Sequence, residues 1–291
     1  MRPKRPSYTR ISLARGPVFS RVLREMKDLG LNTVCEEAKC PNLGECWGAG
    51  TATIMVLGAV CTRNCRFCSV KTGNPKGQID PHEPGHVAQA IATWGLKYAV
   101  ITSVDRDDLP DGGALHYADV IRSIKRFSPD TLIETLIPDY TDERLQTVLN
   151  AKPDCLGHNI EVVKAISPAV RDRRASYEKS LKVLRQSKEM YPELPTKSSL
   201  MVGLGETTQE LAQTFNDLAL VGVDILTIGQ YLRPSSRQLP VVRYYEEQEF
   251  TELKEMALKA GIGTVVSGPL VRSSYKAMDA YQQITRDRRQ I

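Results

Sequence analysis

The chain predicts an α/β fold, a partial and open TIM-like (β/α)6 barrel with an extension at each end. Six short apolar runs have strand length: Thr53–Leu57, Tyr98–Thr102, Thr131–Thr135, Cys155–His158, Ser199–Val202 and Ile225–Ile228. Longer segments with helical spacing lie between them, and such alternation implies a parallel sheet with helices outside, as a barrel or a doubly wound sheet. Six units are fewer than the eight that close a barrel, so an open, partial barrel is the economical reading. Polar segments follow the strands at Cys61–Cys68, Ser103–Asp111 and His158–Glu161, the face on which barrel enzymes place their chemistry.

Residues 1–50 stand apart as an N-terminal extension, with a helix near Phe19–Leu29. The barrel occupies 51–235. Within it, a helix starts near Ser176 and places Tyr177, Leu181 and Leu184 at i, i+4 and i+7. The next is delimited at both ends: Thr207 and Glu210 have capping-box spacing, Leu211, Phe215 and Leu218 share a face, and Gly222 supplies the stop. Residues 236–291 form a C-terminal extension with a helical pattern around Glu246–Ala260, a Gly-rich turn, and the segment Ser267–Tyr275.

Composition narrows the function classes. Among 291 residues, 41% are hydrophobic, enough for a substantial core. No stretch approaches the roughly 20 apolar residues of a membrane-spanning helix. The N-terminus has neither an apolar signal region nor the length of a usual transit peptide, so a cytoplasmic protein is expected. Net charge is +5, with basic residues at the ends: Arg2, Lys4, Arg5 and Arg10, then Arg286, Arg288 and Arg289. Such tails are solvated termini or help to dock an acidic partner. No aromatic-interleaved basic stripe accompanies them, so nucleic acid is not an expected partner.

The cysteines carry the chemistry. Six of the seven fall in two triplets, Cys35-x4-Cys40-x5-Cys46 and Cys61-x3-Cys65-x2-Cys68. Three thiolates hold three irons of a cubane iron–sulfur cluster and leave the fourth iron open for another ligand. A disulfide framework suits short secreted chains better than this one. Structural zinc usually wants four ligands in paired clusters, and six thiols divide naturally into threes. Cys155 lies in an apolar run without a neighbouring partner and reads as a buried, inert core thiol.

Cys61-Thr-Arg-Asn-Cys65-Arg-Phe-Cys68 resembles the signature of the radical S-adenosylmethionine enzymes, including the aromatic Phe67 before the last cysteine. The resemblance implies that S-adenosylmethionine chelates the open iron and is cleaved there to a 5′-deoxyadenosyl radical. Other segments narrow the family: CEEAKCPNLGEC (Cys35–Cys46), TSVDRDDLPDGGA (Thr102–Ala114), GLGET (Gly203–Thr207), DILTIGQYLRPS (Asp224–Ser235) and SGPLVRSSY (Ser267–Tyr275). In this order they resemble the lipoyl synthases, over about Asn32 to Tyr275.

That resemblance implies two [4Fe–4S] clusters. Cys61, Cys65 and Cys68 would hold the radical-generating one. Cys35, Cys40 and Cys46 would hold an auxiliary cluster consumed as the sulfur source, with Ser274 as its fourth ligand and the C-terminal extension closing over it. A serine oxygen is a hard ligand, poorly matched to iron–sulfur chemistry, and the iron it holds is the one most easily lost. Without the resemblance, Ser273 and Ser274 read as turn or helix-cap residues.

Ser103, Asp105, Asn159 and Glu161 are candidate contacts to S-adenosylmethionine. Arg106, Asp107 and Asp108 read as a solvated ion-pair cluster, and His158 as a satisfied structural histidine. Gly203 and Gly205 permit a close backbone approach or simply form a turn. The implied partners are an octanoylated lipoyl carrier domain or glycine-cleavage H protein, an electron donor such as flavodoxin or ferredoxin, and an iron–sulfur carrier protein. Within enzymes the rival reading is another radical sulfur-inserting enzyme, such as a biotin synthase or methylthiotransferase. Outside them it is a zinc-stabilised binding module.

Overall fold

The computed structural model describes residues 6, 8, 24–26, 29–33, 42 and 51–289. These fall into two compact units. The first draws on Ser12–Asn64 and Ser69–Leu156, the second on Met1–Ile11, Cys65–Cys68 and Gly157–Ile291.

The first unit contains β1 (Asn32–Thr33), β2 (Thr51–Val56), β3 (Val60–Cys61), β4 (Lys71–Thr72), α1 (Glu83–Trp94), β5 (Tyr98–Ser103), α2 (Ala114–Phe127), β6 (Leu132–Leu136) and α3 (Asp142–Leu149), and leads into β7 (Cys155–Gly157). Its strand order is β1-β2-β5-β6-β7. β1 is antiparallel to β2, whereas β2, β5 and β6 run parallel, with Met55 opposite Thr102 and Ile101 opposite Thr135. Ile54, Val56, Tyr98, Val100, Ile101 and Ile133 are buried on these strands. Continuous burial is what a parallel sheet covered by helices requires. α1 ends at Gly95 (φ 61°), whose N–H donates to Ala92 O at 3.1 Å, the left-handed stop that glycine adopts without steric penalty.

The second unit contains α4 (Ser167–Val170), α5 (Tyr177–Met190), β8 (Thr196–Val202), α6 (Thr208–Leu220), β9 (Ile225–Gln230), α7 (Glu247–Lys259), β10 (Thr264–Gly268) and α8 (Ala277–Arg289). Strands β8, β9 and β10 are neighbours in that order, all parallel. Helix starts follow the local chemistry. Ser176 Oγ accepts from Lys179 N at 3.0 Å to cap α5. At α6, Thr207 Oγ1 accepts from Glu210 N (3.3 Å) while Glu210 Oε2 accepts from Thr207 N (2.8 Å). Losing such a cap costs about 1 kcal/mol. Leu211, Phe215 and Leu218 of α6 pack with Leu200, Val202, Leu226 and Ile228 of β8 and β9. Phe215 is wholly buried, so Phe215→Ala would cost about 3–5 kcal/mol in lost burial and cavity.

All six expected strands form, and helices lie at the three places where their capping or periodicity was legible. Two differences stand out. β8 begins at Thr196 rather than Ser199. β10 was not expected: Thr-Val-Val-Ser-Gly has only two apolar residues and reads as a turn, but Thr264–Gly268 aligns with Ile225–Gly229 across a parallel ladder. Of the helix expected near Phe19–Leu29, residues 24–26 are helical and most of the rest lies outside the described residues. No helix among the described residues is long and apolar enough to cross a membrane.

Candidate active site

The second cysteine triplet lies in the loop that β3 and β4 bracket. These two-residue strands pair in parallel, and Gly73 N donates to Cys61 O at 2.9 Å. Cys61, Cys65 and Cys68 are half-buried. Backbone N–H groups point at two of them: Arg63 N lies 3.4 Å from Cys61 Sγ, and Asp172 N lies 3.3 Å from Cys65 Sγ. Such donors favour the thiolate, the form that binds metal. Among the described residues no three His, Cys, Asp or Glu side chains converge on one point as a single-ion site requires; the thiolates of a cubane each bind a different iron.

Each half of the loop is fastened within its own unit. In the first, Thr62 N donates to Asp105 O at 2.9 Å, and Thr62 Oγ1, 2.9 Å from the same oxygen, donates to Asp107 Oδ2 at 2.7 Å. Arg63 makes a bidentate pair with Asp107 (3.0 Å twice), reaches Asp105 Oδ1 at 3.2 Å, and bonds Asp139 as well. Burial opposes the charge of Arg63, but Asp107, Asp105 and Asp139 outweigh it and raise its pKa above the ordinary guanidinium value. In the second unit, Arg66 N donates to Val170 O (2.9 Å), Leu239 N to Arg66 O (3.0 Å) and Gln238 Nε2 to Cys68 O (2.9 Å).

The loop after β5 holds Ser103 and Asp105. Ser103 Oγ is buried without a hydrogen-bond partner; Tyr140, beside it, donates instead to Gly112 O at 2.7 Å. An orphaned buried hydroxyl is what a bound polar group would satisfy. Asp105 Oδ2 lies 3.9 Å from Cys61 Sγ. Of the expected solvated ion-pair cluster, Asp107 is exposed but pairs with Arg63, whereas Arg106 and Asp108 pair inside the fold. Arg106 is 2% exposed and donates to Leu57 O, Gln78 O and both oxygens of Asp108. Its hydrogen bonds lower the Asp108 pKa to about 2. Arg106 is thus a buried strut of the loop, because backbone carbonyls and a carboxylate satisfy its donors inside the fold.

In the second unit, Asn159 Nδ2 donates to Glu161 Oε1 at 3.0 Å. Glu161 has φ 67°, an uncommon conformation for a non-glycine residue that often marks functional sites. It bridges to β8, with Glu161 N donating to Ser199 O and Met201 N to Glu161 O. Burial raises its carboxyl pKa, and Arg171 and Asn159 oppose that shift. His158 is structural as expected, with Nε2 2.9 Å from Ser180 Oγ. Arg171 donates to that hydroxyl at 2.8 Å. Cys155 is wholly buried, as expected of a core residue.

Ser274 lies in the turn that precedes α8, half-buried, with Tyr275 N donating to Arg272 O at 3.0 Å. Arg272 Nη1 donates to Val271 O (2.6 Å) and reaches Gln230 O at the end of β9 (3.4 Å). Cys35, Cys40 and Cys46 lie outside the described residues.

The two glycines differ. A Cβ on Gly203 (φ 102°) would stand 2.2 Å from Gln230 Nε2 and 2.6 Å from Arg243 O, so this position needs glycine for close approach. Gly205 has only Val242 at 3.8 Å and is simply a turn. Sequence reasoning passed over Glu206, which accepts from Gly203 N (2.5 Å), Leu204 N (2.9 Å) and Tyr245 Oη (2.8 Å) and so fastens that turn. It also passed over Arg63 and Asp139. A lone arginine between two cysteines signals a contact only if its three carboxylates are already known to be near.

Residues 55–218 match the radical SAM superfamily. A lipoyl synthase of Halorhodospira halophila is 53% identical over 95% of this chain and 84% of its own length. One of Thermus thermophilus is 50% identical over 97% and 88%, and a mitochondrial lipoyl synthase of Eremothecium gossypii is 49% identical over 99% and 80%. Among solved structures, methylornithine synthase superposes with a TM-score of 0.55 at 11% identity over 85% of each chain, a likeness of fold. The fold is the radical SAM partial barrel, and the chain belongs to the lipoyl synthase family, which uses S-adenosylmethionine and [4Fe–4S] clusters.

Proposed function

We propose that this chain inserts sulfur at C6 and C8 of an octanoyl group carried on a lysine, consuming two molecules of S-adenosylmethionine per lipoyl group. The observation that carries the reading is the Cys61–Cys68 loop: three half-buried cysteines in radical-SAM spacing, with backbone N–H groups directed at Cys61 and Cys65.

Cys61, Cys65 and Cys68 would hold the radical-generating cluster, which when bound would supply the electron for cleavage of S-adenosylmethionine. The chain's own groups do the placing. Ser103 offers an unsatisfied buried hydroxyl to the cosubstrate. Asn159 and Glu161 offer an amide and a carboxylate to its amino or ribose groups, with the strained Glu161 backbone fixing the direction. Asp105 stands beside Cys61 and is already engaged by Arg63, so it orients the cluster loop more directly than it binds the cosubstrate. Cys35, Cys40, Cys46 and Ser274 hold the auxiliary, sulfur-donating cluster. On this reading residues 1–50 and 236–291 are the extensions that supply those ligands to the barrel of 51–235.

A lipoyl synthase acts on a lipoyl-carrier protein. The finer partners proposed are an octanoylated lipoyl domain or glycine-cleavage H protein, flavodoxin or ferredoxin as reductant, and an iron–sulfur carrier that rebuilds the auxiliary cluster. The proposed compartment is the cytoplasm. The test is an anaerobic incubation with an octanoyl-lysine peptide, S-adenosylmethionine and a reductant, read by mass spectrometry. Formation of the dithiolated peptide supports the reading. 5′-Deoxyadenosine accompanied by an unmodified or methylthiolated peptide sinks it.

A further inference from the structure

We propose that Arg63 is a positioning residue for the Cys61–Cys65–Cys68 cluster: it locks the first half of the cysteine loop into its ligating shape before the cluster arrives. The inference rests on the assignment of those cysteines to the radical-generating cluster.

Three observations carry it. The Arg63 side chain is only 9% exposed although it sits on a loop, and it meets three carboxylates, Asp105, Asp107 and Asp139. One carboxylate would balance its charge. The Asp139 side chain is only 2% exposed, and burying a further negative group is unfavourable for stability alone, so the arrangement calls for another role. Second, Arg63 is two residues from Cys61 and two from Cys65, where a fixed side chain governs the path of the whole Cys-x3-Cys segment. Third, the fixing reaches the sulfur. Arg63 N is 3.4 Å from Cys61 Sγ, Asp105 Oδ2 is 3.9 Å from the same atom, and Thr62 is pinned to Asp105 O. Residues 61–63 are therefore held by groups that need no metal to assemble.

The geometry calls for a guanidinium. The bidentate fork takes both oxygens of Asp107 while Nη1 spans Asp105 and Asp139. A lysine keeps the charge and loses the fork. There is also an electrostatic consequence. Asp105 Oδ2 lies 3.9 Å from Cys61 Sγ, and negative charge near a cluster disfavours adding an electron. Asp139, a buried carboxylate that pairs with Arg63, tests this effect.

The experiment uses the full chain, reconstituted anaerobically. The radical cluster is followed by the electron paramagnetic resonance signal of its reduced form, identified by its change when S-adenosylmethionine is added. Supporting groups around metal ligands are typically worth about 10–100-fold in metal affinity. Arg63→Met should therefore lose that signal to a chelator at least about tenfold faster than the wild type, with Arg63→Lys in between. Asp139→Asn should keep the cluster and raise its potential. A tenfold larger ratio of reduced to oxidised cluster at a fixed solution potential corresponds to about 59 mV for one electron. Protease cleavage within 61–72 of the apo-protein should be faster in Arg63→Met, a readout that needs no iron. If Arg63→Met fails to fold, Arg63→Lys decides: a wild-type rate of cluster loss in that variant overturns the proposal, as it would in Arg63→Met. Absence of any signal responsive to S-adenosylmethionine in the wild type defeats the cluster assignment itself, and the inference with it.

Discussion

Replacing Gly229 by alanine should displace the turn that carries Ser274. Gly229 lies on β9, aligned with Met201 of β8 and Gly268 of β10. A Cβ there would stand 2.1 Å from Val271 O and 3.0 Å from Val271 C. Carbon–oxygen contacts need roughly 3.3 Å or more, somewhat inside the dispersion optimum, so the segment after β10 must retreat by about 1 Å. The obstacle is backbone and cannot rotate away. Overpacking of this kind costs about 1–3 kcal/mol, or a fall in Tm of roughly 2–10 °C for a chain of this size. The displaced backbone also carries Arg272, whose reach to Gln230 O is already long at 3.4 Å. We therefore expect Gly229→Ala to remain folded, with a lower Tm by calorimetry and a preferential loss of sulfur insertion over S-adenosylmethionine cleavage. Wild-type Tm with wild-type sulfur insertion would refute the reasoning, because the strand could then absorb the methyl group in place.

Three further predictions concern the site. Changing Cys61, Cys65 and Cys68 together to Ala should leave about four of eight irons bound and abolish 5′-deoxyadenosine formation, checked by iron analysis and chromatography. Ser274→Ala and Ser274→Cys should both keep cleavage but impair lipoyl formation, the first by losing the serine-held iron and the second by holding it too well. Mössbauer spectra of the two variants separate these cases. Glu161→Gln should raise the concentration of S-adenosylmethionine needed for half-maximal cleavage. It should also flatten part of the pH dependence of stability. The folded Glu161 pKa lies above its ordinary 4.5, so its contribution is fully present below about pH 4.5 and declines as pH rises through the folded pKa. Denaturant titrations of wild type and variant at about pH 5 and pH 8 would show the variant losing less.

Much of the fold was legible because its signals are local. Thr207 with Glu210, and Ser176 with Lys179, announce helix starts through bonds three residues apart, and β5 is buried along nearly its whole length. β10 was hidden because Thr264–Gly268 carries little apolar patterning and owes its strand state to the ladder with β9. The cysteine loop was legible as spacing, since metal ligation writes itself into sequence. Its supports were not: Arg63 meets Asp139 across 76 residues, and Glu206 meets Tyr245 across 39. The run Arg106–Asp108 misled in one respect. Adjacent opposite charges look solvated in a sequence, whereas here Arg106 turns inward to Leu57 O and Gln78 O.

The central claim is that this chain supplies the sulfur it inserts. The most direct measurement reconstitutes the protein with heavy-isotope sulfide and runs one anaerobic turnover on an octanoyl-lysine peptide with unlabelled sulfide in solution. Both sulfurs of the product should be heavy by mass spectrometry, and the Cys35, Cys40 and Cys46 triple alanine variant should make 5′-deoxyadenosine but no thiolated product. Light sulfur in the wild-type product, or sulfur insertion by the triple variant, would contradict the account.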